Sequence, residues 1–139
     1  MSASPVPAHL AEGLSLELRL HGELRRLHEL CDGLQSAAVA TDDGLALCSL
    51  GSLLPDTASA TAAFLINELN THLGVLRAGS AREVAVWTDA GPWYMARISS
   101  LPYVIALLAG PMVPVAVLRH AGALVANRLA PTLASLTPT

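Results

Sequence analysis

The sequence contains no lysine, and all eight of its cations are arginines. A phosphate-cradling loop of the P-loop kind needs that amine, so this nucleotide chemistry is excluded. Charge is scarce as well. Charged residues make up 14% of the chain and the formal net charge is -3, where about a quarter charged is usual. A nucleic-acid binder displays a basic stripe, and none is present, so DNA or RNA is not an expected partner. Cysteine is limited to Cys31 and Cys48, too few for a disulfide scaffold and consistent with a reducing compartment. Glycines do not cluster into GxGxxG, and no Gly-x-Ser-x-Gly elbow occurs. The start, MSASPVPAHLAEG, lacks a basic opening and an apolar run, so it does not read as a signal peptide, and a cytoplasmic location is expected.

Apolar residues are abundant. They form 53% of the 139 residues, and mean hydropathy is +0.50. That excludes disorder and fits one domain with apolar surface left for another chain to cover. Ile98 to Leu118 carries no charge over about the length of a membrane span. Pro102, Gly110, Pro111 and Pro114 would break such a helix repeatedly, so the run reads as a buried strand, a turn and a helix start. No membrane insertion is expected.

Residues 1–13 read as a flexible tail and 14–136 as a single domain. Leu16, Leu20, Leu24, Leu27, Cys31 and Leu34 fall within an arc of about 80° at helical spacing, which predicts an amphipathic helix from Leu14 to near Gly33. Gln35–Thr41 and Leu45–Ser49 flank Asp42-Asp43-Gly44, a hairpin signal because the turn needs positive φ. Pro55 lies just outside a second helix, capped by Asp56 or Thr57 and running to about Leu76. Arg82–Thr88, Pro92–Ile98 and Tyr103–Ala109 are strands whose short connections force antiparallel neighbours. Tyr103–Ala109 is apolar on both faces and belongs inside the sheet. The last helix starts near Pro114, with Leu118, Gly122, Val125 and Leu129 on one face, and Pro131 bends or ends it. The order is α-β-β-α-β-β-β-α: an α+β fold with one five-stranded antiparallel sheet and three helices.

Chemistry-bearing groups have ordinary readings. Cys31 sits on the first helix's apolar stripe and Cys48 in mid-strand, as buried, inert thiols. His21, His28 and Cys31 share helical spacing suited to metal ligands, but no compact fourth ligand accompanies them. No cofactor is expected. Asp42 and Asp43 satisfy turn backbone rather than act as paired acids. Trp87, Trp93 and Tyr94 flank the Asp89–Gly91 turn, with core packing the default. On the second helix, Ala58, Ala62, Leu65, Ile66, Leu69, Leu73 and Leu76 form the docking stripe, and Phe64 and Val75 lie outside it among Thr61, Asn67, Glu68 and Thr71. They suggest a second contact surface, the alternative being one wide docking stripe. On the last helix Arg128 either pairs with a carboxylate or faces a partner. Asn67 and Arg128 are the candidate partner-binding residues.

TDDGLALCS (Thr41–Ser49), with its preceding short apolar strand, resembles the first hairpin of Roadblock-type (dynein light-chain-type) domains. The long Ala/Leu helix resembles their central helix. VAVWTDAGPWYMARI (Val84–Ile98) is similar to their second hairpin, and YVIALLA to their apolar last strand. The likeness spans about residues 14–130 and points to MglB-like bacterial regulators of Ras-like GTPases. It implies a profilin-like sandwich that forms dimers, with central helices antiparallel and the first strands of the three-stranded part paired edge to edge. Carried onto this chain, it places Thr61, Phe64, Glu68, Thr71 and Val75 near the dimer axis and makes Arg82–Thr88, with Val84 and Val86, the pairing strand. Family members of this branch bind a small Ras-like GTPase and stimulate hydrolysis without inserting a catalytic arginine, while others are scaffold subunits. The expectation is a non-enzymatic homodimer that regulates such a GTPase. The alternatives are a scaffold without nucleotide-state dependence, and an enzyme using His21, His28 and Cys31.

Overall fold

The structure, a computed structural model, describes residues 8–51 and 55–136. Its elements are α1 (Ala8–Leu30), β1 (Leu34–Thr41), β2 (Ala46–Gly51), α2 (Pro55–Val75), β3 (Glu83–Thr88), β4 (Gly91–Arg97), β5 (Tyr103–Ala109) and α3 (Val115–Ala134). The five strands form one antiparallel sheet in the order β2-β1-β5-β4-β3. This is the α+β order expected from the sequence. Every residue of β5 is buried: an all-apolar strand takes a central place because both of its faces need cover.

The two faces of the sheet are covered differently. Ala37, Val39, Tyr94, Ala96, Ile105 and Leu107 turn toward α1 and α3, where they meet Leu24, Leu27, Leu118, Val125 and Leu129 in the main core. On the other face Ala40, Met95, Val104 and Ala106 pack against Ala62 and Ile66 of α2. The Gly122 Cα hydrogen lets α3 lie close on the sheet: a methyl there would come within 2.8 Å of the Tyr94 ring. Gly91 is similarly required, since its φ of +133° opens the β3–β4 turn and a Cβ would sit 2.0 Å from the Ala109 carbonyl oxygen.

Several boundaries differ from the sequence reading. α1 reaches back to Ala8, so 8–13, assigned there to a tail, are helical, while 1–7 lie outside the described residues. Leu34 heads β1 instead of ending the helix; Gly33 with φ +93° turns the chain before it. Pro55 is the first residue of α2 instead of preceding it, a position where its missing N–H costs nothing. Pro114 caps α3 from outside, and Pro131 sits within the helix, which continues to Ala134.

The largest correction concerns α2. Its buried positions are Ala58, Ser59, Ala62, Ala63 and Ile66. Leu69 and Leu76, expected to dock, are 39% and 73% exposed, and Leu73 is half-buried. The helix packs on β1, β2 and β5, and its apolar stripe outlasts the sheet beneath it.

Candidate interaction site

Thr61, Phe64, Glu68, Thr71 and Val75 are all exposed, with Phe64 at 61% and Val75 at 80%. Their spacing alternates three and four residues, so they form a straight seam along α2, the geometry of a helix that packs along a second helix. The threonine hydroxyls are already satisfied within the helix. Thr61 Oγ1 donates to the Thr57 carbonyl at 2.8 Å and Thr71 Oγ1 to the Asn67 carbonyl at 3.0 Å. What these residues turn outward is a methyl group. Glu68 is engaged with His72 one turn on, Oε2 to Nε2 at 3.4 Å.

A second unpartnered surface is β3, one of the two open edges of the sheet. β3 pairs with β4 on one side only. Arg97 N–H donates to the Arg82 carbonyl at 2.9 Å, and Glu83 lies opposite Ala96. Backbone groups alternate along an antiparallel ladder, so Glu83, Ala85 and Trp87 direct their N–H and C=O groups away from β4, to the free edge. Val84 and Val86 share a sheet face with Met95, the α2 side, since Val84 lies opposite Met95. Val84 is half-buried against α2's core and Val86 is 38% exposed. The edge carries no proline, no bulge and no lysine, the usual devices that keep a strand from pairing with another chain.

The aromatic residues around the β3–β4 turn divide. Tyr94 is buried, Trp93 is half-buried, and Trp87 is 70% exposed, which departs from the core-packing default. Tyr94 Oη donates to Glu83 Oε2 at 2.8 Å, and Arg119 of α3 pairs with Glu83 Oε1 at 2.7 Å. The Arg119 hydrogen bond, then that of Tyr94, holds the Glu83 carboxyl below the usual carboxylate range. Burial, then the hydrogen bond to Glu83 and that carboxylate's charge, pushes the Tyr94 phenol up. This triad fixes the edge strand to α3. Nothing in the sequence spacing signals it, because its members come from three separate elements.

The candidate partner-binding residues are used inside the chain. Asn67 Nδ2 donates to the Asp42 carbonyl at 3.1 Å, tying α2 to the first hairpin turn. Arg128 Nε donates to Glu23 Oε2 at 2.8 Å, tying α3 to α1; it takes the carboxylate-pairing alternative. Asp43 accepts from Thr41 Oγ1 within the turn, where Gly44 has φ +97°. His21, His28 and Cys31 do not come together: His21 Nδ1 lies 3.6 Å from Cys48 Sγ, Cys31 is buried and His28 is exposed. Burial raises both thiols; Asp32's charge adds to this at Cys31, while at Cys48 a backbone hydrogen bond at Ser49 opposes it and Glu17's charge adds a smaller rise. Among the described residues no three His, Cys, Asp or Glu side chains gather as a metal site. No described helix is long and apolar enough to cross a membrane.

No family model and no curated protein matches the sequence. Solved structures do. A Roadblock/LC7 domain from Streptomyces avermitilis superposes with a TM-score of 0.72 at 24% identity, covering 84% of this chain and 96% of that one. An MglB described in a tetrameric arrangement gives 0.79 at 15% identity over 88% and 93% of the two chains. The gliding protein MglB of Thermus thermophilus gives 0.77 at 14% identity over 87% and 93%. The fold is therefore that of Roadblock/LC7 domains and MglB. At these identities the likeness is one of backbone architecture.

Proposed function

We propose that this protein is a non-enzymatic, homodimeric Roadblock-type module that binds and regulates a small Ras-like GTPase in the cytoplasm, as MglB-like regulators do. The observation that carries the dimer is a pair of unpartnered surfaces: the α2 seam through Phe64 and Val75, and the unpaired edge of β3. One symmetric contact covers both, with α2 against the partner's α2 and β3 against the partner's β3. It would bury Thr61, Phe64, Glu68, Thr71, Val75, Val84 and Val86, and a symmetric interface needs such a self-complementary patch. The low charge content fits a surface meant to be covered.

The GTPase reading rests on the fold shared with MglB. Regulation requires tighter binding to one nucleotide state than to the other. Two measurements test the two levels. Sedimentation equilibrium gives a dimer mass for the intact chain; a monomer at all concentrations overturns the homodimer. The immobilised protein is then exposed to host lysate with a non-hydrolysable GTP analogue or with GDP. A small GTPase retained only with the analogue supports the regulator. Equal retention in both states, or retention of other proteins alone, overturns it in favour of a scaffold.

A further inference from the structure

Arg82 and Arg97 lie directly across the β3–β4 ladder from one another, one position beyond the Glu83–Ala96 pair, with Arg97 N–H donating to the Arg82 carbonyl at 2.9 Å. Side chains alternate along a strand, so both leave the sheet on the face that Val84 and Met95 share, the α2 side. Opposed residues of a bonded pair have Cα atoms about 5.5 Å apart, and like charges so placed are unfavourable. Neither guanidinium is in an ion pair among the described residues. Both line one open recess of about 550 Å³ with Ser80, Ala81, Ser99 and Ser100. The lining holds cations and hydroxyls and no carboxylate, in a chain with more acids than bases. Asp42 borders Arg97 in a separate, smaller hollow and forms no ion pair with it. Both walls of the recess are held in place. Ala81 N–H donates to Asn70 Oδ1 of α2 at 2.5 Å. Leu101 N–H donates to the Ile98 carbonyl at 3.1 Å and Ile98 N–H to the Tyr103 carbonyl at 2.9 Å, which closes the turn carrying Ser99 and Ser100. The ladder and its flanking turns hold two cations together, and an anion between them removes the repulsion.

We propose that this recess binds a phosphoryl group, a dianionic tetrahedral oxyanion. A guanidinium presents its N–H donors in a fixed fork that matches carboxylate or phosphate oxygens two at a time. A carboxylate has two oxygens and one charge, so a bidentate pair with one arginine leaves the other uncompensated. A phosphoryl group carries up to two charges on three acceptor oxygens. That is enough to lie between both arginines and still accept from a serine hydroxyl. The rest of the lining limits what else is recognised. It has no aromatic ring, and Ala81 is its one apolar side chain, so it offers nothing on which a base stacks or an acyl chain is buried. The recess therefore reads the phosphoryl group itself, as free phosphate or as an ester whose carrier stays in the open mouth. This inference does not rest on the homodimer or the GTPase proposed above.

Isothermal titration calorimetry on the intact chain tests the site, at about pH 8, where phosphate is dianionic. The probes are inorganic phosphate, a capped phosphoserine peptide and acetate. Phosphate or the peptide should bind saturably and at least about tenfold more tightly than acetate. Tighter binding of the peptide makes an ester the source, and equal or tighter binding of phosphate makes it the free ion; either result supports the site. Binding of neither, or of acetate as tightly as both, overturns it. Any arginine attracts anions diffusely at low salt, so variants must locate the contact. Arg82→Gln and Arg97→Gln should each weaken binding by at least about tenfold. Arg77→Gln, at an exposed arginine outside the lining, should leave it unchanged. Equal losses in all three, or no loss in Arg82→Gln, overturn the placement. Arg82 is exposed, so Arg82→Gln keeps the test decisive even where Arg97→Gln fails to fold. Saturating phosphate should also raise the Tm of the native chain and not that of Arg82→Gln. A rise that persists in Arg82→Gln puts the anion elsewhere and overturns the proposal.

Discussion

The two faces of the sheet are built to different ends. Toward α1 and α3 the sheet meets long leucines, among them Leu24, Leu27, Leu118, Leu129 and Leu133, each at most 1% exposed. Toward α2 it meets Ala58, Ala62, Ala63 and Ile66, with Leu65 half-buried beside them, while Phe64, Val75 and Leu76 of the same helix stand in solvent. The first face is closed within one chain. The second is half a core, thin where the chain covers itself and apolar where it does not. A helix that spends small residues on its own sheet and large ones outward fits the proposed dimer, and on that proposal the difference between faces separates stability from association.

That separation can be tested in descending order of effect. Leu24→Ala opens the closed face, and a fully buried leucine lost to alanine costs about 2–5 kcal/mol; denaturant unfolding should show this at any protein concentration. Phe64→Asp strikes the other face. It should leave monomer stability within about 0.5 kcal/mol and weaken dimerisation by at least about 2 kcal/mol, turning the dimer monomeric by sedimentation. A Phe64→Asp protein that stays dimeric, or that unfolds instead of dissociating, breaks the comparison.

Glu83 joins the edge strand to α3 and carries a smaller, pH-dependent part. Its folded pKa is depressed below the ordinary 4.5, so its contribution is present above that value and is lost as pH falls through the folded pKa. Thermal melts from pH 6 down to pH 3 should therefore drop more steeply for the native chain than for Glu83→Gln. Because the pair with Arg119 is largely in solvent, the difference should be under about 1 kcal/mol. The smallest effect belongs to Arg128→Ala. The Arg128–Glu23 pair is exposed, so Tm should hardly move, and dimer mass and partner retention should be unchanged. Loss of partner retention in that variant would return Arg128 to the binding surface.

The hydrophobic periods of α1, β5 and α3 were legible because each has a single, unambiguous apolar pattern: Leu20, Leu24 and Leu27 at helical spacing, an unbroken run at 103–109, and Leu118, Gly122, Val125 and Leu129. The off-stripe position of Phe64 and Val75 was legible for the same reason. The limits of α2's docking were not. Leu69 and Leu76 continue its period, yet periodicity gives the direction of a side chain without saying whether a strand lies beneath it. Trp87 escaped likewise, since its exposure depends on how far α3 reaches over the sheet. Arg128 lies on an arc open to both a carboxylate-pairing and a partner-facing reading, and the approach of α1 brings Glu23 within 2.8 Å of it.

The sequence by itself determined the element order, the antiparallel neighbours, the central place of β5 and the second apolar stripe on α2. These follow from short-range physics: turn chemistry, helical and strand periods, and connections too short for a crossover. Tertiary structure decided which two strands form the open edges, which backbone groups point out from β3, and that Arg82 faces Arg97 beside an open recess. Those depend on strand order and register, which juxtapose residues far apart in the chain, and no local pattern encodes that distance.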